Sequence, residues 1–164
     1  MKKITSLSFI LFLGLFLMGG CGKVDTGKDS RVLWKFKARG EITCVPIVVN
    51  NVIYVTSRDS NLYAIDSGTG KTLWKIKLKK LGGPASIVLS ENVLVVVSSI
   101  SPSLRQLDAG IYTIDVESGK LKWFNEKENG MYYPPMIFEG VVYLGSESFG
   151  EEKSLLAIYL ETVA

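Results

Sequence analysis

Leu62-Tyr-Ala-Ile-Asp66-Ser-Gly-Thr-Gly70-Lys-Thr-Leu-Trp74 aligns without a gap on Ile111-Tyr-Thr-Ile-Asp115-Val-Glu-Ser-Gly119-Lys-Leu-Lys-Trp123. In both stretches glycine follows aspartate by four residues and tryptophan follows it by eight. The spacing has a mechanical meaning. The apolar run before the aspartate reads as a strand, the small polar residues as a tight turn, and the tryptophan-bearing residues as the returning strand. Gly70 and Gly119 supply the positive φ that such a turn needs. Asp66 and Asp115 are placed to accept hydrogen bonds from turn amides. Tyr63 and Tyr112 are expected to present an aromatic surface to a neighbouring sheet. Trp34, Trp74 and Trp123 are expected to lock adjacent sheets together.

Working outward, a third and decayed copy is visible at Leu156-Ala-Ile-Tyr159-Leu-Glu-Thr162. Each copy is preceded by two further apolar runs, such as Val45-Pro-Ile-Val-Val49 and Val52-Ile-Tyr-Val55 ahead of the first. The runs predict twelve strands, near residues 32–38, 45–49, 52–57, 61–66, 73–78, 84–89, 93–98, 110–115, 121–124, 135–138, 141–145 and 154–160. No stretch after residue 30 sustains an apolar period of 3.6, so the expected class is all-β. The strands group as one orphan outer strand around Trp34, two four-stranded units, and a last unit of three strands.

The repeat resembles the pyrroloquinoline-quinone-like β-propeller repeat, whose blades carry a Leu-Tyr-Ala-Leu-Asp, Thr-Gly, Leu-Trp signature, and the resemblance covers residues 31–164. It implies about three four-stranded blades. Propellers close with roughly four to eight blades, so three form an incomplete ring. Three arrangements follow: a section of a longer propeller, an open curved stack, or two chains exchanging end strands to make a six-bladed homodimeric ring.

Residues 1–20 stand apart from the fold. Lys2 and Lys3 precede an uncharged apolar run, Ile4 to Met18, too short for a membrane span, which reads as a secretory signal. Met18-Gly-Gly-Cys21-Gly22 resembles a bacterial lipobox, which implies that Cys21 is acylated and anchors the protein to a membrane. Gly22, where some lipoproteins carry an aspartate that retains them at the inner membrane, implies by the same resemblance the outer membrane and its periplasmic side in a cell with two membranes. Residues 21–30, lipidated Cys21 included, read as a flexible tether. With Cys21 acylated, Cys44 has no disulfide partner and is expected to be a buried, inert thiol.

Composition narrows the chemistry. The chain of 164 residues has 19 Lys plus Arg against 16 Asp plus Glu, a net charge of +3, which leaves no footprint for nucleic acid. It contains no histidine, so imidazole acid–base chemistry is absent. On this basis no catalytic, cofactor-binding or metal-ligating residue is expected, and the chain reads as a non-enzymatic scaffold. The acidic group Glu147, Glu151 and Glu152 lacks the ligand spacing of a calcium loop. Lys71, Lys75, Lys77, Lys79 and Lys80, echoed by Lys35 and Lys37, read as charges that protect an outer strand from edge pairing. Longer loops gather on one face and nominate Arg105, Tyr132, Tyr133 and Phe149, with Ser101, Glu126 and Glu147, as partner-binding residues.

The resemblance also supplies two functional expectations. The first is a lipid-anchored module that binds envelope proteins, similar to the propeller lipoproteins of outer-membrane β-barrel assembly. The second is a fragment of a quinoprotein dehydrogenase, a class that uses quinone, calcium and often adjacent cysteines. No adjacent cysteine pair occurs in this sequence.

Overall fold

The computed structural model describes residues 31–79, 81, 83–98, 109–127, 130–148 and 153–160. Contacts divide the chain into Met1–Leu33 and Trp34–Ala164. Of the first unit only Arg31, Val32 and Leu33 are described, all exposed. The proposed signal and lipidated Cys21 lie outside the described residues.

The second unit is built from three antiparallel sheets. The first contains β1 (Ile47–Val49), β2 (Val52–Ser57), β3 (Asn61–Asp66) and β4 (Thr72–Lys77), in that spatial order. The second repeats the order with β5 (Ala85–Ser90), β6 (Val93–Ser98), β7 (Ala109–Asp115) and β8 (Leu121–Lys127). In the third, β10 (Met136–Phe138), β11 (Val141–Ser148) and β12 (Ser154–Tyr159) run side by side, while β9 (Gly130–Tyr132) pairs with the far end of β11. Every described strand pair is antiparallel, and no described residue is helical. The all-β expectation holds.

The strand count hides two differences from the sequence reading. Residues 32–38, expected as a strand, lie in no ladder among the described residues; Trp34, Phe36 and Ala38 instead pack on the face of the first sheet. Residues 130–132, expected in a loop, form β9 opposite Ser146, Glu147 and Ser148. β9 and β10 occupy the same edge of β11 and are separated by Tyr133-Pro134-Pro135, where proline has no N–H to give a ladder. The third sheet therefore has three strand positions, as expected, with the innermost one split.

Connections follow from the same local chemistry. The β1–β2 turn has positive φ at Asn50 and Asn51 (49° and 63°), and the β10–β11 turn at Glu139 and Gly140 (47° and 73°). Two successive positive φ values give the turn whose twist suits a hairpin.

The three sheets stack face to face. Tyr54, Leu62 and Ala64 of the first sheet meet Ile87, Leu94, Val96, Tyr112 and Ile114 of the second in one buried cluster. Val95, Val97 and Ile111 of the second meet Tyr132, Val142 and Leu144 of the third in another. The remaining face of the first sheet, Val55, Tyr63 and Ile65, is covered by Trp34, Phe36 and Ala38. Both faces of a middle sheet are therefore buried, which explains why β6 reads Val-Leu-Val-Val-Val instead of alternating. Cys44 is half-buried, not buried as expected, and its Sγ accepts the Thr56 N–H at 3.1 Å. The short stretch around it meets the first sheet through an isolated bridge from Ile42 to Ser57 rather than a continuous ladder, so it is not drawn fully into the core.

Candidate functional site

The two repeat motifs build two copies of one joint. In the first, the Asp66 carboxylate accepts the Thr69 N–H at 2.7 Å and the Thr69 hydroxyl at 2.6 Å, and the Gly70 N–H donates to the Asp66 carbonyl. In the second, Asp115 accepts the Ser118 N–H at 2.8 Å and its hydroxyl at 2.6 Å, with Gly119 donating to the Asp115 carbonyl. These donors, the hydroxyl and then the amide, hold both carboxyls below their ordinary value. Gly70 and Gly119 sit at φ +70° and +67°.

Each turn then receives a tryptophan from the preceding outer segment. A Cβ on Gly70 would lie 2.6 Å from the Trp34 ring, and one on Gly119 would lie 2.6 Å from the Trp74 ring. The Trp34 indole N–H donates to the Ser67 carbonyl at 2.8 Å and that of Trp74 to the Val116 carbonyl at 3.0 Å. Ser67 and Val116 each follow the repeat aspartate, so the two joints are equivalent atom for atom. Trp123 packs against the second buried cluster, facing a third sheet in which Tyr159 occupies the aspartate position opposite Val141.

At the opposite ends of the strands, where β2 leads into β3, lies a cluster the sequence reading missed. The Tyr63 hydroxyl donates to Asp59 Oδ2 at 2.5 Å, and Asp59 also accepts the backbone N–H groups of Arg39 and Asn61. Burial pushes the Asp59 carboxyl up, but these donors outweigh it and leave it below its ordinary value. Burial, then the hydrogen bond and charge of Asp59, push the Tyr63 phenol up to about 12. Arg58 and Glu41 pair beside it at 3.2 Å, exposed to solvent. One sequence signal was available: aspartate precedes the repeat tyrosine by four residues in both good copies, at Asp59 and at Asp108, the latter outside the described residues.

The same end of the third sheet carries Tyr133, whose hydroxyl donates to Glu147 Oε2 at 2.8 Å, and Lys153, 3.3 Å from Glu147 Oε1. Tyr133 is 47% exposed, which suits the expected contact surface. Tyr132 is not placed there. It is 4% exposed within the second cluster, because β9 turns its ring inward and its hydroxyl toward Asn125. Arg105, Ser101 and Phe149 lie outside the described residues.

The donor set was tested against a quinone with its calcium. Among the described residues no three Asp, Glu, Cys or His side chains converge to hold a metal ion. Asp66 and Asp115 are committed to their turns, and Asp59 to Tyr63. A cleft of ≈290 Å³ between the first two sheets is lined by Asn50, Glu91, Asn92 and Glu117 beside Tyr54 and Trp74, but it brings together only two carboxylates, and the Asn92 amide already donates to Asp115. The described residues do not fit that group.

Four-stranded antiparallel meanders, stacked face to face and pinned by a tryptophan over a turn glycine, are the blades of a β-propeller built from quinone-enzyme-type repeats. The chain belongs to the family described as outer membrane protein assembly factor BamB, whose model matches residues 24–129 and, one repeat on, 58–159. It is 27% identical over 135 residues to 1-butanol dehydrogenase (cytochrome c) of Thauera butanivorans, covering 74% of this chain and 19% of the relative. It is 27% identical over 133 residues to the quinoprotein alcohol dehydrogenase PedH of Pseudomonas putida, covering 74% and 22%. Among solved structures, a europium-containing methanol dehydrogenase superposes with a TM-score of 0.63 at 16% identity, covering 80% of this chain and 25% of that one. The quinohemoprotein alcohol dehydrogenase of Comamonas testosteroni gives 0.58 at 20% identity, covering 75% and 20%. The chain thus spans about a fifth of the length of these curated relatives.

These relatives correct the expectation that the chain lies outside enzyme families. That expectation rested on the missing histidine. In cofactor enzymes the cofactor carries the hard chemistry and the protein supplies binding and orientation, so a lack of imidazole excludes little.

Proposed function

We propose that this chain forms part of the wall of an extracytoplasmic oxidoreductase propeller of the quinoprotein alcohol dehydrogenase kind. The observation that supports this most is the alignment of two alcohol dehydrogenases at 27% identity across most of the chain. In that role its own residues fix the angle and spacing between blades. The Trp–Gly joints hold one end of the first two sheets, and the Asp59–Tyr63 and Tyr133–Glu147 pairs stiffen loops at the other end of the first and third. The redox centre belongs to residues other than those described here.

A second reading is a lipid-anchored propeller that binds envelope proteins through the Tyr133 end. It is favoured by the family description and by the lipobox-like stretch ending at Cys21. One experiment separates the two. The full chain, tagged and recovered from its native membranes, is assayed for alcohol-dependent dye reduction and for quinone absorbance. The oxidoreductase reading expects both to co-purify with the tagged chain. Recovery of outer-membrane barrel proteins with no alcohol-dependent reduction overturns it.

A further inference from the structure

We propose that the cleft between the first two blades binds a small organic cation, a nitrogen donor of the amidinium, guanidinium or alkylammonium kind carried on an apolar body. The inference rests on side chains within two complete blades and is independent of the redox reading.

The cleft, ≈290 Å³, lies at the end of the sheets that carries the Trp–Gly joints. Glu91 and Glu117 line it and are exposed, and no Lys or Arg is among its lining residues. Neither carboxylate enters an ion pair among the described residues. Its walls are Val52, Leu73 and the rings of Tyr54 and Trp74, whose centroids lie 5.8 Å apart.

The polar groups of this cleft are short of free donors. The Trp74 indole N–H is spent on the Val116 carbonyl, and an Asn92 amide N–H on Asp115. Tyr54 is 2% exposed, yet its hydroxyl makes no hydrogen bond among the described residues. Leaving a buried polar group unpaired costs free energy, so the site gains by supplying a partner. Thr43 and Thr56 also carry unpartnered hydroxyls, but theirs are sealed from solvent, whereas Tyr54 lines the cleft. Two carboxylates and a phenol oxygen are thus available as acceptors, and their complement is a cationic N–H donor. The aromatic rings attract a cation, and the aliphatic walls take up its apolar body.

The next pair of blades supplies a control. The corresponding cleft between the second and third sheets is lined by Glu91, Asn92, Val93, Lys122 and Glu139. Val93 pairs with Asp115 as Val52 pairs with Asp66, so Val95 stands in the second blade where Tyr54 stands in the first. Lys122 precedes Trp123 as Leu73 precedes Trp74. The blade scaffold accepts both exchanges, so neither Tyr54 nor Leu73 is required to hold two blades together. With a lysine of its own and valine in place of the phenol, the second cleft is not suited to a cation.

The test titrates the full chain in detergent, by calorimetry, with benzamidine and separately with benzamide, its uncharged near-isostere. Benzamidine is expected to bind about 10-fold more tightly than benzamide, as a charge-assisted hydrogen bond would give, and to weaken as salt is raised. Leu73→Lys copies Lys122, and Glu91→Asn copies Asn50, which holds the same left-handed turn position at φ 49° against 48° for Glu91. Each is expected to weaken benzamidine about 10-fold without lowering the denaturant midpoint, and Tyr54→Phe to weaken it about 3-fold. Glu139→Gln, in the second cleft, leaves binding unchanged. If Leu73→Lys does not fold, Glu91→Asn decides alone, since asparagine suits that backbone better than glutamate. Equal affinity for the two compounds, binding of neither, or benzamidine binding that survives Glu91→Asn in folded protein overturns the proposal.

Discussion

The hydrogen bond between Tyr63 and Asp59 pushes the phenol up and the carboxyl down, and this makes a prediction in both acid and base. Tyr63 binds its proton more tightly folded than unfolded, so its contribution is fully present below pH 10, the ordinary phenol value, and is lost as pH rises through about 12. Asp59 is shifted downward, so its contribution is present above 3.8 and is lost as pH falls below that value. Ultraviolet titration of the phenols should show one tyrosine ionising near 12. In Asp59→Asn that midpoint is expected to fall only part of the way toward 10, because burial, the first cause of the shift, remains. A midpoint returning fully to 10 would show that the carboxylate alone sets it.

At the level of the turn and its docked strand, the three positive-φ glycines form an internal control. Gly119 has both a left-handed backbone and the Trp74 ring where a Cβ would stand, whereas Gly140, at φ +73°, has nothing within 4 Å. Gly140→Ala should cost only the backbone term, about 1–2 kcal/mol. Gly119→Ala adds the displacement of a packed ring and should cost about 2–5 kcal/mol in all. Denaturant midpoints measured side by side give the difference, and equal costs would mean that the indole is not held against the turn. These joints were legible in the sequence because their residues recur at fixed offsets, Asp66 with Gly70 and Trp74, Asp115 with Gly119 and Trp123. β9 was not legible. Its pairing depends on Ser146 to Ser148 across the sheet, and Tyr132 reads the same whether its ring turns inward or out. The Asp59 cluster was legible only in part: aspartate stands four residues before the repeat tyrosine in both good copies, but Arg39 enters through its backbone N–H, which leaves no trace in residue type.

For the whole molecule the relevant fact is that the sheets touch in sequence order, the first cluster joining blades one and two and the second joining two and three. Stability in such a stack is close to a sum of blade and neighbour contributions. Leu144→Ala, in the third blade, is expected to destabilise by about 2–5 kcal/mol. It should lower amide-exchange protection in β11 and β12 while leaving β2 and β3 near their original values. Leu94→Ala, in the middle blade, should lower protection on both sides. Uniform loss from Leu144→Ala would mean that the blades unfold as one body. The position of the indole has a further consequence, in the currency of genes. Each of the two complete blades carries its own glycine socket in the turn before its outer strand and, a few residues later, a tryptophan plug. An in-frame duplication of one blade therefore inserts without requiring a new interface to evolve.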